Sequence, residues 1–371
     1  WSNIEKEEKL VSKKYNKNIH RFIALSLFLI NCVVFNYKCV WADKMVESNL
    51  NEIFISEDNY AYEMKEIVEP YLNNLEKSGY IEGQEGIDIF YKKYMVEDPV
   101  GSIVISHGFT EVIDKYNEII YYFLKNGYSV FAMEYRGHGR SGYLGKDTSQ
   151  IYVEDYNYYI LDLKKFIDEI VVPDSGDKDL FLFAHSMGGG IAAKFLQDYP
   201  EYFDAAVLTG PMMEVNTGSF PKFIARPITW VMANFGLGYL YAAGEKPYTD
   251  EYDFEGACTS SEARYSYTYN NIVNNELFPR SGASYMWLNE SFKLTKEITK
   301  KDNVEKIEIP VLLFQAEKDT YVLPGGQNTF ASYAKNCELV VIESAQHDMY
   351  RESDEILKPY LEKIFNFYKN T

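Results

Sequence analysis

Four cysteines and five histidines are all that 371 residues contain. A disulfide-framed scaffold is excluded, because Cys32 and Cys39 belong to the extreme N-terminal region and only Cys258 and Cys337 remain, for which a single bridge and two free thiols are both open, with free thiols preferred. Positive charge is also scarce: 37 Lys and Arg stand against 55 Asp and Glu, a formal charge of -18. Nucleic-acid affinity rests largely on Lys and Arg neutralising phosphates, so a nucleic-acid partner is excluded. No internal repeat and no low-complexity tract is present, which removes solenoids and disordered tails. Long apolar runs are missing except for one, "FIALSLFLINCVVF", residues 22 to 35.

That run follows a Lys-rich stretch and precedes small residues at Val40 and Ala42, the layout of a secretory signal peptide cleaved after Ala42. Extended to Trp41 it reaches twenty residues, so an uncleaved membrane anchor is the rival reading, and lipid modification of Cys32 a third. Removing residues 1 to 42 takes away seven basic and three acidic residues and leaves 30 against 52, a charge of -22. The expectation is an exported or envelope-associated acidic body, membrane-anchored if the segment stays; the oligomeric state is open.

What is abundant is alternation. Residues 43 to 80 carry helical spacing interrupted by Pro70, with Gly79 as a helix stop, and are expected to form an N-terminal helical extension. "IDIFYKKYMV" and "GSIVISHG" read as two successive strands at a sheet edge. "YSVFAMEY", "DLFLFAHS", "AAVLTGP", "IPVLLFQAEKD" and "CELVVIES" then alternate with helix-length segments, ending in an amphipathic helix. Short apolar strands alternating with helices specify an α/β core with a mostly parallel sheet covered on both faces. The core is expected over residues 81–210 and 309–371. Residues 211–308 are too long for a plain connection and are expected to form an inserted cap.

"AHSMGGG" sits between an apolar strand and an Ala-rich helix, the setting of a nucleophile elbow in which a sharp turn lifts a Ser hydroxyl above the sheet. Ser186 is the candidate nucleophile; a Ser in a Gly-rich turn can equally be structural. A Ser needs a base, and His is the usual one. His20 lies in the expected signal, and His185 adjoins Ser186, where alternation aims its side chain away. Of the five histidines only His347 follows Ser186 in the chain, as the order nucleophile, acid, base requires. Among six intervening Asp residues, Asp319 follows a buried strand directly and is preferred over Glu317 and over Asp198, Asp204, Asp250, Asp253 and Asp302. Backbone N–H groups of Met187 and of Phe109, after "VISHG", are the expected oxyanion donors.

"HGFTEVIDKYNE", "EYRGHGRSGY", "AHSMGGGIA", "SGASYMWLNES", "FQAEKDTYV" and "QHDMYRE" occur in an order that resembles the α/β-hydrolases grouped as monoacylglycerol lipases, lysophospholipase L2 and serine aminopeptidase-like (S33-type) enzymes. The resemblance spans roughly residues 66 to 371 and is nearest to the lysophospholipase L2 branch, with Ala184 before the His-Ser pair. It departs at Glu134, where Asp is common, and in most of the cap. It implies an α/β-hydrolase fold with Ser186 as nucleophile, Asp319 as acid, His347 as base, and Phe109 and Met187 as oxyanion donors. Arg136 to Gly142, with His138, has no chemical step and reads as structural. No metal or cofactor is implied. The implied activity is hydrolysis of a single-acyl lipid ester, a lysophospholipid or monoacylglycerol, with peripheral membrane contact. An S33-type aminopeptidase and a binding protein without catalysis are the alternatives.

Overall fold

The computed structural model describes residues 50–218 and 220–371, and the chain divides into Trp1–Glu52 and Ile53–Thr371, the second unit carrying the fold. The signal or anchor expected over residues 1 to 42, with His20 and Cys32, lies outside the described residues. Among the described residues no helix is long and apolar enough to cross a membrane.

In chain order the strands are β1 Glu76–Glu82, β2 Asp88–Tyr94, β3 Gly101–Ser106, β4 Tyr128–Met133, β5 Gln150–Ile151, β6 Leu180–His185, β7 Ala205–Thr209, β8 Ser281–Ala283, β9 Val311–Ala316 and β10 Cys337–Ile342. Eight of them form one sheet in the order β1-β2-β4-β3-β6-β7-β9-β10, parallel except at β2, which pairs antiparallel with β1 and β4. β3, β4, β6 and β7 are buried along their whole length, which is why they read as unbroken apolar runs rather than alternation. The helices are α1 Glu69–Leu75, α2 Asn117–Lys125, α3 Asn157–Phe166, α4 Ser186–Asp198, α5 Lys222–Asn234, α6 Glu262–Val273, α7 Tyr285–Ile298, α8 Pro324–Tyr333 and α9 Asp354–Lys369. Cys258 and Cys337 are free thiols. The sheet with helices around it is the expected α/β class.

Three expectations are corrected. The helical extension ends at Leu75, and Glu76 to Tyr80 belong to edge strand β1. Gly79 is no helix stop: it faces Tyr91 across the strand pair, and a Cβ there would lie 2.8 Å from the Tyr91 hydroxyl, so the glycine makes room for that ring. Pro70 does not break the helix either: the chain stays helical from Tyr60 to Leu75, and the wider π-turn at Met64–Val68 directly before the proline loosens the hydrogen-bond ladder where its missing N–H falls. Second, β3 is an interior strand between β4 and β6, because the chain crosses over after β2. Third, residues 211–308 are not all cap. α7 lies along α4, and Trp287, Leu294 and Ile298 join the main apolar core, followed by Val304 and Ile307. Its residues recur every three to four positions on one face, which buries it as an ordinary core helix.

The remainder of the insertion is tied down by two arginines. Arg264 on α6 is fully buried and forks onto Glu118 of α2 (Nη2–Oε1 2.9 Å, Nε–Oε2 3.0 Å), with Asp354 at 2.9 Å and the Ile55 and Glu352 carbonyls completing its donors. Arg280 donates to the carbonyls of Gly137, Gly139 and Gly142, so the "RGHGRSG" stretch anchors the insertion to the core. In the same stretch Arg136 pairs with buried Asp162 at 2.7 Å. Removing one partner of such a pair leaves an uncompensated charge. Arg264→Ala should destabilise the protein by about 3–5 kcal/mol, read as a lowered midpoint in scanning calorimetry; an unmoved midpoint would show that Arg264 bears no structural load.

Candidate active site

β3 and β6 are neighbours, with Ser106 in register with Ala184, so the loops leaving their carboxyl ends emerge side by side. One carries Phe109 and the other carries Ser186 and Met187. Ser186 opens α4 with φ at 51°, the left-handed region that a side-chain-bearing residue occupies at a cost of about 1–3 kcal/mol. What holds it there is packing behind it. A Cβ at Gly188 would collide with the carbonyl oxygens of Ser106 and His107, one at Gly189 would lie 2.6 Å from Pro211, and one at Gly190 2.7 Å from the Met212 carbonyl oxygen. The three glycines let the first turn of α4 press against β3 on one side and the start of the insertion on the other. The hydroxyl of Ser186 is thereby raised above the sheet edge.

His347, five residues past β10, places Nε2 2.8 Å from Ser186 Oγ and Nδ1 2.6 Å from Asp319 Oδ2. Asp319, three residues past β9, is fixed in turn: its Oδ1 accepts the Tyr321 and Val322 N–H groups at 2.8 and 2.9 Å. Glu317, its rival, is exposed and accepts the Ser344 N–H at 2.8 Å, away from the histidine. Burial by itself would lower the His347 pKa, but the hydrogen bond and charge of Asp319, with Asp348 and Glu111 behind, hold it above the ordinary histidine value. The arrangement can take a proton from a hydroxyl and return it to a leaving group.

The Met187 N–H is one of the first-turn donors for which no intrahelical acceptor exists. The Phe109 loop is set by side chains. His107 accepts the Tyr135 N–H at Nε2 (2.9 Å), so its proton sits on Nδ1 and donates to the Gly108 carbonyl at 2.7 Å. That carbonyl and the Phe109 N–H belong to one peptide unit, so His107 orients the donor; burial keeps the ring neutral, lowering its pKa to about 4. The Gly108 N–H donates to Glu111 Oε2 at 2.6 Å.

Sequence reasoning missed the buried charges behind this site. Glu111 accepts from Tyr350 at 2.8 Å and contacts Lys115; despite burial, the Lys115 charge holds its carboxyl down to about 2. Lys115 and Arg351 also pair with Asp348, at 3.0 and 2.5 Å. His185 does not point away from the site: it bridges the Thr209 carbonyl (3.1 Å) and Asp348 (3.2 Å), its ring 4.8 Å from that of His347. The "HGFTE" Glu, four residues before Lys115, and the Asp directly after His347 were the available signals. His138 is buried beside His107, ring centroids 5.2 Å apart, and touches none of the three reacting residues. His185, His347 and Asp348 bring donor atoms within 4.8 Å of one another, but both nitrogens of His347 are already engaged.

Ser186 opens into a cavity of about 440 Å³ lined chiefly by apolar side chains, among them Met212, Val215, Ile228, Trp287 and Leu288. Phe109 and Trp287, both in its lining, pack ring to ring at 4.2 Å, and Tyr321, also in the lining, lies on His347 at 5.4 Å.

Residues 97–354 match the family model described as Serine aminopeptidase, S33. Lysophospholipase L2 of Escherichia coli (strain K12) is 28% identical over 300 residues, covering 77% of this chain and 85% of that protein. Monoglyceride lipase of Homo sapiens is 24% identical over 273 residues, covering 72% and 81%. The soluble variant of monoglyceride lipase from Saccharomyces cerevisiae, solved with a substrate analog, superposes with a TM-score of 0.64 at 18% identity, covering 79% and 94%, a likeness of fold.

A base must be neutral to act, so activity should fall as pH drops through the raised His347 value, with an acid limb in kcat/KM centred above about 6.5. Asp319→Asn removes the main upward influence and the tautomer lock; it should move that limb down and lower kcat by about 10⁴-fold. A limb at or below the ordinary value in the unaltered protein would contradict the assignment.

Proposed function

Since the chain belongs to the serine aminopeptidase S33 family and has the α/β-hydrolase fold, we propose that it is a carboxylester hydrolase that removes the single acyl chain of a lysophospholipid or monoacylglycerol. The observation that carries this reading is the 2.8 Å contact of Ser186 with His347 at the floor of an apolar cavity. Ser186 Oγ attacks the ester carbonyl while His347 Nε2 takes its proton, and the developing oxyanion meets the Phe109 and Met187 N–H groups. His347 then hands the proton to the leaving glycerol oxygen. Water, activated by the same nitrogen, attacks the acyl-enzyme, releases the fatty acid and regenerates Ser186; Asp319 stabilises the imidazolium in both halves. An apolar cavity gains about 0.8 kcal/mol for each methylene it removes from water, which suits a fatty acyl chain.

The substrate is met at a lipid surface through α5. In a chain of charge -18, residues 215–244 contain no Asp or Glu and carry Lys222 and Arg226. Phe223, Trp230 and Phe235 are 77, 53 and 71% exposed there, while Ile228 lines the cavity. An apolar, aromatic, weakly cationic helix at the cavity mouth fits a neutral or zwitterionic lipid interface, and the acidic remainder keeps the rest of the surface off it. Export, the expectation for residues 1 to 42, would bring the enzyme to such lipids.

Ser186→Ala should abolish hydrolysis of monoacylglycerol and lysophospholipid and prevent labelling by a fluorophosphonate probe, with the thermal midpoint retained. Turnover at the original rate would sink the nucleophile, and cleavage of aminoacyl arylamides without acyl esters would replace the reading by the peptidase one. Separately, the protein should float with phosphatidylcholine vesicles, and the triple variant Phe223→Ser, Trp230→Ser, Phe235→Ser should not, while still cleaving a soluble short-chain ester; equal flotation of the two rules α5 out as the contact.

A further inference from the structure

Asp319 sits on a loop whose other residues, Glu317, Lys318, Thr320 and Tyr321, are exposed, while its own side chain is only 6% exposed. Ahead of the aspartate the loop is tied to the β10 side. The Glu317 N–H donates to the Ile342 carbonyl at 3.2 Å and the Lys318 N–H to the Ala345 carbonyl at 2.9 Å. Past the aspartate the tie is to the first residues of the insertion. Val215 and Val322 form an antiparallel bridge, the Leu323 N–H donates to the Glu214 carbonyl at 2.9 Å, and the Asn216 N–H donates to the Tyr321 carbonyl at 3.2 Å. The Asn216 side chain adds a bond from Nδ2 to the Thr320 carbonyl at 2.8 Å, and its Oδ1 accepts the Gly218 N–H at 3.0 Å.

The two carbonyls held by Asn216 belong to the two peptides that hold the acid. The Thr320 carbonyl shares a peptide unit with the Tyr321 N–H, and the Tyr321 carbonyl shares the next with the Val322 N–H. Those N–H groups donate to Asp319 Oδ1, at 2.8 and 2.9 Å. A planar trans peptide points its N–H opposite its carbonyl, so a donor fixed on the carbonyl side sets the direction of the N–H. It also polarises the peptide and strengthens that N–H as a donor. With Oδ1 held by both peptides, Oδ2 faces His347 Nδ1 at 2.6 Å.

We propose that Asn216 is a positioning residue for the acid, acting through the Thr320 and Tyr321 peptides to set the carboxylate that orients His347. This goes beyond the lipid-ester reading and rests on it only in that the reaction is ester hydrolysis. The acid is then held by the chain that leads into α5 as well as by the core. Asn216 also lines the cavity, so a contact with substrate is the rival role. The two roles separate in kinetics: a positioning residue acts on kcat, a substrate contact on KM.

The test uses the full chain and p-nitrophenyl butyrate, a soluble ester whose turnover needs the three catalytic groups but no lipid surface. Asn216→Asp keeps the shape and the oxygen for the Gly218 N–H but replaces the donor to Thr320 by an acceptor; Asn216→Ala removes the side chain. Both should lower kcat about three- to tenfold, the worth of one hydrogen bond, with KM unchanged. In an Asp319→Ala background neither should lower kcat further, because no carboxylate remains to be placed. Losses that multiply with that of Asp319→Ala, a loss carried by KM, or unchanged kcat overturn the proposal and leave the esterase reading intact. A fall in the alanine variant alone also overturns it, since the loss then belongs to the Gly218 turn. If the unaltered protein hydrolyses neither this ester nor monoacylglycerol, the esterase reading itself fails.

Discussion

The backbone approach of α4 to β3 is the constraint on which the site depends. Ser186 keeps a left-handed conformation only because Gly188 lets the helix turn rest against the Ser106 and His107 carbonyls, where any side chain would collide. The same contact sets the Met187 N–H beside the loop that carries Phe109. Nucleophile and oxyanion donors are thus positioned by one packing event rather than by separate loops. Local strain at the nucleophile is balanced by close packing behind it.

Charge is arranged in two buried layers around this point. Behind the catalytic groups, Glu111, Lys115, Asp348, Arg351 and His185 form a mutually paired set that holds the Gly108 amide and backs the His347 ring. Farther out, Arg264 joins the segment at Ile55, the insertion and the core through Glu118 and Asp354. Pairs of this kind add little net stability over apolar packing, but losing one partner is expensive, so they specify geometry. α5 has only Thr229 and Ala233 buried and packs on α7.

Much of the core was legible because β3, β4, β6 and β7 are buried on both faces and therefore read as short apolar runs. β1 was not, because an edge strand rich in Glu and Lys has no such signature, and its glycine mimics a helix stop. α7 was assigned to the cap because chain continuity says nothing about which layer a helix joins. Ser186, Asp319 and His347 could be chosen by chain order and by their places after strands. His185 could not, since its burial against Asp348 depends on a loop 163 residues away.

By itself the sequence determined the class of chemistry: one histidine downstream of a strand-borne serine, with an aspartate after the intervening strand, leaves few other assignments. It also determined the α/β order, since hydrophobic period is a local property. Only the tertiary structure decided the distances of 2.8 and 2.6 Å that couple the three groups, the pinning of the Gly108–Phe109 peptide by His107, and the apolar cavity into which Ser186 opens. The reason is physical: residue type and spacing are read along the chain, whereas proton transfer, desolvation and selectivity depend on contacts between segments that only folding brings together.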